Sequence, residues 1–301
     1  MADSSSSLTY FSKNPVECPV CEDKFHREEL RTGRGRLIAG NLTQELRRLY
    51  EPSQKYGEVF PLVYPVTVCP SCYYAAYAGD FANIPEGARD AVLEETEKRT
   101  NSVRDVFDAL TYSEPRGLKE GIASYFFAIM CYEHFPKDFS PTFKRGLSAL
   151  RAAWLCNDIH RKQSGENYDY MAKVFYRKAR FFYTRAVELE QTGKETISVA
   201  GHLGPDLDKN YGYDGVLYVS GYLEYKHGPT GDPQKRVEAL NRAKRTVARI
   251  FGMGRASKNK PAAILDNARD LYEEISAELG KPGANPEEDN APEEDNAAEE
   301  A

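Results

Sequence analysis

Two short cysteine motifs, Cys18-Pro19-Val20-Cys21 and Cys69-Pro70-Ser71-Cys72, are predicted to decide how the first quarter of the chain folds. In each motif two residues separate the cysteines, so both thiolates of one turn can face the same ion. Two such turns complete a tetrahedral four-sulfur shell that leaves no position for a substrate, which is typical of a structural zinc site. The sequence therefore predicts one structural Zn²⁺ per chain, with the ligands Cys18, Cys21, Cys69 and Cys72.

Other uses of these motifs stay open. A redox pair is normally a single C-x-x-C motif in a strand–helix–strand unit, whereas here the motif occurs twice among residues that predict short hairpins. Disulfides are another alternative, and so is an iron–sulfur cluster, although cluster ligation usually needs a tighter run of cysteines. His26 is a candidate substitute ligand, with a surface hairpin residue as the simpler interpretation. Cys131 and Cys156 lie in apolar helical patterns, a cysteine usage that indicates a reducing compartment.

Length and charge predict two folded units with flexible ends. A chain of 301 residues exceeds one typical domain. From Pro286 onward, eight acidic residues and no basic one form a low-complexity tail that buries too little apolar surface to fold. Because nothing resembles a signal peptide or reaches the length of a membrane span, we expect a cytoplasmic protein without membrane contact. The expected units are a disordered N-terminus (1–14), a zinc-ribbon-like module (15–84), a helical repeat domain (85–280) and an acidic disordered tail (281–301).

Short strands and one helix are predicted for the N-terminal module. The segment 30–38 fits a pair of hairpin strands, and 59–68 fits an edge strand that enters the second cysteine motif. Between them, Asn41 is a candidate cap for a helix over 42–50 with leucines along one face. The module is thus expected to be a β-ribbon with a helical insertion.

After Pro85 the periodicity changes to that of helices. Over 168–190, apolar residues recur at spacings of three and four, as on a core-facing helix. Ala179, Tyr183 and Ala186 have the spacing of the second helix of a tetratricopeptide repeat. Ala239, Ala243 and Thr246 repeat that spacing. Helices are predicted over 88–110, 117–134, 141–161, 168–190, 211–227, 233–251 and 261–279. The predicted fold is therefore mainly α, with a small four-cysteine zinc-ribbon-like β module followed by an α-helical, tetratricopeptide-like hairpin array.

The surroundings of the cysteine motifs resemble a known family. The first motif is followed by Phe25 and an arginine-rich segment, and the second lies in the stretch VCPSCYYAA, with Asp80-Phe81 soon after it. This pattern resembles the bacterial family catalogued as domain of unknown function 2225, over residues 15–255. The resemblance implies a zinc-ribbon-like N-terminus on a helical-repeat scaffold and carries no established activity. In this chain Tyr73 stands where the family usually has Gly, and 41–59 replaces a shorter stretch.

An enzyme is the less favoured interpretation. Cys156 and His160 are one helical turn apart, with Asp158 nearby, and a thiolate–imidazole pair can serve nucleophilic catalysis. However, Cys156 lies in an apolar helix, where a free cysteine usually acts as a small hydrophobic side chain. The chain also has neither a P-loop nor a dinucleotide-binding glycine motif.

The favoured function is a protein-interaction scaffold whose helical repeats bind a segment of a partner protein. The alternative is a zinc ribbon associated with nucleic acid. Residues 1–80 contain nine Lys or Arg against ten Asp or Glu, and this balance disfavours a nucleic-acid surface. The candidate partner-binding residues are the arginines of the first hairpin and of the basic helix near the C-terminus: Arg31, Arg34, Arg36, Arg242, Arg245 and Arg249.

Overall fold

The computed structural model describes residues 8–107, 109–251 and 262–280. The predicted acidic tail, 281–301, lies outside these ranges, as do residues 1–7 of the expected disordered N-terminus. Within 8–14 the expectation of disorder is wrong, because residues 9–11 form a strand that pairs with a later one.

Eight short strands pair into four two-stranded antiparallel sheets among the described residues. Two of these sheets are hairpins whose turns carry the cysteine motifs. Two-stranded sheets of this size are marginal by themselves, so each must be stabilised by what packs on it. The pairs are β1 (Thr9–Phe11) with β4 (Glu28–Leu30), β2 (Val16–Glu17) with β3 (Lys24–Phe25), β5 (Ile38–Leu42) with β6 (Arg48–Glu51), and β7 (Val66–Val68) with β8 (Ala75–Tyr77).

The helix predicted over 42–50 is wrong, because this segment forms the β5–β6 hairpin. Of the three leucines that suggested a helical face, only Leu46 is fully buried, at the tip of the hairpin, whereas Leu49 is 39% exposed. Tertiary contacts of the tip therefore override a short helical pattern. The predicted hairpin over 30–38 is also wrong. Residues 31–37 connect two different sheets, since β4 pairs back onto β1.

Nine α-helices follow within the described ranges, and the later ones agree with the sequence periodicity. Proline and an aspartate cap begin the helix Pro233–Ala248, where the Asp232 carboxylate accepts a hydrogen bond from the Lys235 amide at 3.1 Å. The helix predicted over 88–110 is instead two short helices, Glu86–Glu94 and Thr96–Ser102. No helix in the described ranges has the length and apolar character needed to cross a bilayer. The helices are α1 (Ala78–Phe81), α2 (Glu86–Glu94), α3 (Thr96–Ser102), α4 (Leu118–Cys131), α5 (Pro141–Lys162), α6 (Tyr168–Gln191), α7 (Gly212–His227), α8 (Pro233–Ala248) and α9 (Ala262–Leu279).

From α4 to α9, each helix packs against the next one in the chain. Small residues allow the closest approaches. A Cβ on Gly146 of α5 would lie 3.0 Å from the ring of Tyr183 on α6, and one on Gly221 of α7 would lie 2.4 Å from Val247 on α8. Any larger side chain at Gly221 would therefore push α7 and α8 apart.

One continuous buried core joins the strand region to the helices. The Tyr125 hydroxyl of α4 donates to the Leu62 carbonyl at 2.8 Å. The buried Arg116 guanidinium pairs with Glu28 of β4 at 3.3 Å. Because both contacts cross the expected boundary at 84/85, the two units share buried surface, and the position of a domain boundary stays a prediction.

Tyr183 offers a test of the helix packing. It is fully buried and packs edge-on against Phe143, with 5.7 Å between ring centroids. We expect Tyr183→Ala to lower the free energy of unfolding by about 3 kcal/mol or more, because it leaves a large cavity. Phe181→Ala, on the same helix but at a 62% exposed position, should change it by less than about 0.5 kcal/mol. Urea denaturation of the three proteins measures both differences, and similar curves for both variants would contradict the packing.

The Tyr183 hydroxyl allows a finer version of this test. It is buried and has no hydrogen-bond partner among the described residues. Tyr183→Phe should therefore unfold at the same urea concentration as the parent or at a higher one.

Candidate metal centre

The two cysteine hairpins bring four sulfur atoms together. The Sγ atoms of Cys18 and Cys72 are 3.7 Å apart, and those of Cys21 and Cys69 are 3.6 Å apart. All four sulfurs lie within 4.8 Å of one another. Four thiolates around a tetrahedral ion at about 2.3 Å would be about 3.8 Å apart, so the spacing suits a single metal ion.

Both cysteine turns have the same backbone geometry. The amide of Glu22 donates to the Cys18 carbonyl at 2.9 Å, and the amide of Tyr73 donates to the Cys69 carbonyl at 3.0 Å. Glu22 and Tyr73, which follow the second cysteine of each turn, both have positive φ angles, 64° and 53°. This repeated conformation directs both sulfurs of each turn to the same side, as the C-x-x-C spacing predicts.

Tyr73 occupies a backbone conformation that glycine adopts without strain. A non-glycine residue there costs about 1–3 kcal/mol. The Tyr73 ring stacks on Phe127 of α4, with centroids 4.8 Å apart, and its hydroxyl donates to the Leu110 carbonyl at 3.4 Å. The side chain thus ties the second cysteine turn to α4, which offsets the backbone strain.

The cluster is enclosed by protein. Cys18, Cys69 and Cys72 are buried, and Cys21 is partly buried. Four thiolates this close repel one another, so they can all ionise only around a cation. The four sulfurs could therefore hold a metal ion.

Arg99 of α3 is a buried cation beside the cluster. Its guanidinium donates to the Cys72 carbonyl at 3.1 Å and to the Val92 carbonyl at 2.5 Å, and it is almost completely buried. A divalent ion with four thiolates carries a net charge of −2, so a nearby guanidinium compensates part of that charge. Sequence reasoning missed Arg99, because it stands in a polar run with no apolar periodicity to indicate burial.

The Cys156–His160 alternative gains no support from the geometry. Burial raises the pKa of Cys156 to about 12, so its thiol is protonated at neutral pH. The Asp158 carboxylate pairs with Arg47 and Arg161. The Asp158 carboxylate is thus engaged by two arginines and is not available to orient an imidazole.

The candidate substitute ligand His26 lies outside the cluster, and so does Cys131. His26 is exposed, and its Nδ1 is 2.7 Å from the Ser12 carbonyl oxygen. Cys131 is buried under β8, where its sulfur accepts a hydrogen bond from the Ala75 amide at 3.5 Å. Neither belongs to the group of four sulfurs that lie within metal-binding distance.

The three N-terminal arginines do not form a common surface. The Arg31 guanidinium lies 4.6 Å from the Tyr10 ring centroid. Arg36 is only 4% exposed and lies over the Tyr56 ring, so its placement on a partner-binding surface is wrong. Contact with an aromatic ring has drawn it inward. Arg34 alone is exposed.

The three C-terminal arginines line one groove between α6, α7 and α8, which has a volume of about 450 Å³. Arg242 pairs with the buried Glu224 at 2.6 Å. Arg245 and Arg249 are exposed, and no acidic side chain in the described ranges pairs with them. We call this surface the basic groove.

The fold and the cysteine cluster together define a mainly helical protein with a small strand region that can hold one metal ion. The chain belongs to the bacterial family known as domain of unknown function 2225, described as an uncharacterized protein conserved in bacteria, and the match covers residues 11–275. This confirms the resemblance seen in the sequence. The chain is 43% identical to an uncharacterized protein of Borreliella burgdorferi over 273 residues, which is 90% of this chain and 98% of that protein. No solved structure matches it.

Arg99 generates a prediction about the cluster. Arg99→Met keeps the length of the side chain but leaves two buried carbonyls without their donor. We expect it to lower the free energy of unfolding by about 2–4 kcal/mol. The neighbouring Lys98 is 65% exposed, and Lys98→Met should cost less than about 1 kcal/mol. Thermal and urea denaturation measure the difference, and equal effects of the two substitutions would exclude a special role for Arg99.

Proposed function

We propose that this protein is a zinc-stabilised interaction scaffold, whose helical part binds an acidic segment of a partner protein. The observation that carries the proposal is the basic groove, where Arg245 and Arg249 project without acidic partners in the described part of the chain. The four-cysteine cluster serves this function indirectly, because it stabilises the strand region against the helices.

Zinc fits the cluster for chemical reasons. Thiolates select soft or borderline metal ions, and a closed tetrahedral shell of four sulfurs suits Zn²⁺ or iron. Zn²⁺ has no redox chemistry and no geometric preference of its own, so it serves best where the shell only joins two turns. The buried Arg99 guanidinium supports a dianionic centre of this kind.

The balance of charge in the basic groove supports an acidic ligand. Two glutamates also line the groove, but both have basic partners. Glu224 pairs with Arg180 at 3.2 Å as well as with Arg242, and Glu188 pairs with Arg185 at 3.0 Å. With both carboxylates neutralised, Arg245 and Arg249 leave the groove net positive.

The shape of the basic groove favours a peptide segment. Its walls are α-helices, its volume is about 450 Å³, and the apolar side chain of Val187 lies beside the charged ones. Arginine offers a planar, forked donor that suits the carboxylates of Asp and Glu. We therefore propose an extended acidic segment as the ligand, by analogy with the grooves of helical repeat proteins.

The metal is tested by elemental analysis of the full-length protein. We expect one zinc per chain. Cys69→Ser should release it, because three thiolates leave an open shell and lower the affinity. Cys131→Ala, which removes a buried sulfur outside the cluster, should keep it. A folded protein without metal would contradict the proposal, and one iron per chain would contradict the choice of zinc.

The basic groove is tested with a fluorescent peptide of the sequence found at 286–297, two copies of Pro-Glu-Glu-Asp-Asn-Ala. Charge reversal of Arg245 and Arg249 to Glu should weaken binding about tenfold at low salt, because each exposed charge pair contributes about 0.5–1 kcal/mol. The matched control reverses Arg89 and Arg269, which are exposed on other helices. Fluorescence anisotropy measures both.

Two outcomes would count against the basic groove. Equal binding by both double variants would show that the groove does not select the peptide. Tighter binding of a single-stranded RNA, with a steep dependence on salt, would favour the nucleic-acid alternative. At about 0.5 M salt, where screening is short-ranged, the two variants and the parent should bind the peptide alike.

A further inference from the structure

The turn that joins β5 and β6 is inserted among the helices. Leu46 at this turn is fully buried, and its φ angle of 59° lies in the left-handed region. The carbonyl of Gln44 accepts a hydrogen bond from the Tyr218 hydroxyl of α7 at 2.7 Å. We call residues 44–47 the tip. It is contacted by three helices, α5, α6 and α7.

The charged side chains of the tip have specific partners on two of these helices. The Glu45 carboxylate accepts hydrogen bonds from the Trp154 indole of α5 and from the Tyr176 hydroxyl of α6, the latter at 3.0 Å. The Arg47 guanidinium forms a fork with the Asp158 carboxylate of α5, with one contact at 3.2 Å. Arg47 also lies over the Trp154 ring, 5.6 Å from its centroid.

These contacts have the character of ligand recognition. Apolar side chains in place of Glu45 and Arg47 would fill the space between the helices with similar stability, because desolvation offsets much of the gain from buried charges. Polar pairs add selectivity instead, since each requires one chemical group at one place. The tip presents a carboxylate, a leucine and a guanidinium in succession. The helices supply donors to Glu45 and an acceptor to Arg47, and Leu46 is buried in the core.

The strands of the hairpin are more exposed than its tip. Ile38 and Leu49 on its strands are 38% and 39% exposed. A cavity of about 470 Å³ lies against the hairpin, bounded also by residues 58–62 and the end of α5. Two further anchors hold its strands: Leu42 packs against the core, and Arg48 pairs with Asp208 at 3.0 Å and donates its amide to Asp206 at 2.8 Å. Opening of the tip is therefore opposed mainly by its own contacts with α5, α6 and α7.

We propose that the surface formed by α5, α6 and α7 is a second binding site, selective for a protein segment that carries an acidic residue, leucine and arginine in a turn. The chain's own tip occupies it in this structure, and a partner's segment replaces the tip. This site is separate from the basic groove and does not depend on its function. Because the tip is tethered, its effective concentration is in the millimolar range, so a free segment competes with it at a disadvantage.

The test uses the full-length protein and a cyclic peptide of residues 41–49. In one protein the tip is disabled by Glu45→Ala, Leu46→Gly and Arg47→Ala together. We expect this variant to bind the peptide with one-to-one stoichiometry, and the parent to bind it at least about tenfold more weakly. A control peptide with Leu46→Asp should bind neither protein. Isothermal titration calorimetry and the rise in Tm on adding peptide measure these differences. A folded variant that does not bind the peptide overturns the proposal.

Hydrogen exchange of the parent protein provides a second test, which applies even if the triple variant does not fold. The Leu46 amide donates to the Thr43 carbonyl at 3.0 Å, so it is protected while the turn is seated. We expect it to exchange through local opening, at least about tenfold faster than the Tyr183 amide in α6. If both amides exchange only when the whole protein unfolds, the tip never leaves its site and the proposal is wrong.

Discussion

The strand region is organised around the meeting of four cysteine sulfurs, which joins two of its small two-stranded sheets. Each sheet has only two strands, and such a pair is marginal in water. The sulfurs bring residues 18–21 and 69–72 together, and a bound ion would close that loop in the folded state. Arg99 holds the second turn from α3, and Tyr73 fixes it to α4. The cluster is thus supported by the helices as much as it supports the strands.

The helices in turn depend on close approaches at small residues. Gly146 admits the Tyr183 ring between α5 and α6, and Gly221 admits Val247 between α7 and α8. The buried Arg116–Glu28 pair and the inserted tip of the β5–β6 hairpin then join these helices to the strand region. Because the contacts come from both parts, damage to either should propagate into the shared core.

The two proposed sites differ in the physics of binding. The basic groove offers exposed arginines, so its contacts with an acidic segment should be weak, diffuse and sensitive to salt. The site under the tip offers buried and directional partners, so its selectivity rests on shape and on paired groups. A scaffold with both sites would hold one partner electrostatically in the basic groove, while a segment of a second partner replaces the tip of the hairpin. The tether of the hairpin sets how tightly that second partner must bind.

The sequence by itself determined the cysteine cluster and the positions of α4 to α9. A C-x-x-C turn is a local geometry set by its own spacing, and a long amphipathic helix repeats its signal over many residues. Only the tertiary structure decided the β5–β6 hairpin, the burial of Arg36 and the role of Arg99. In each of these cases the stabilising partner is distant in the chain: Trp154 and Asp158 for the tip, Tyr56 for Arg36, and the Cys72 carbonyl for Arg99. Local periodicity does not indicate such partners, because burial of a charged or short segment depends on what packs against it.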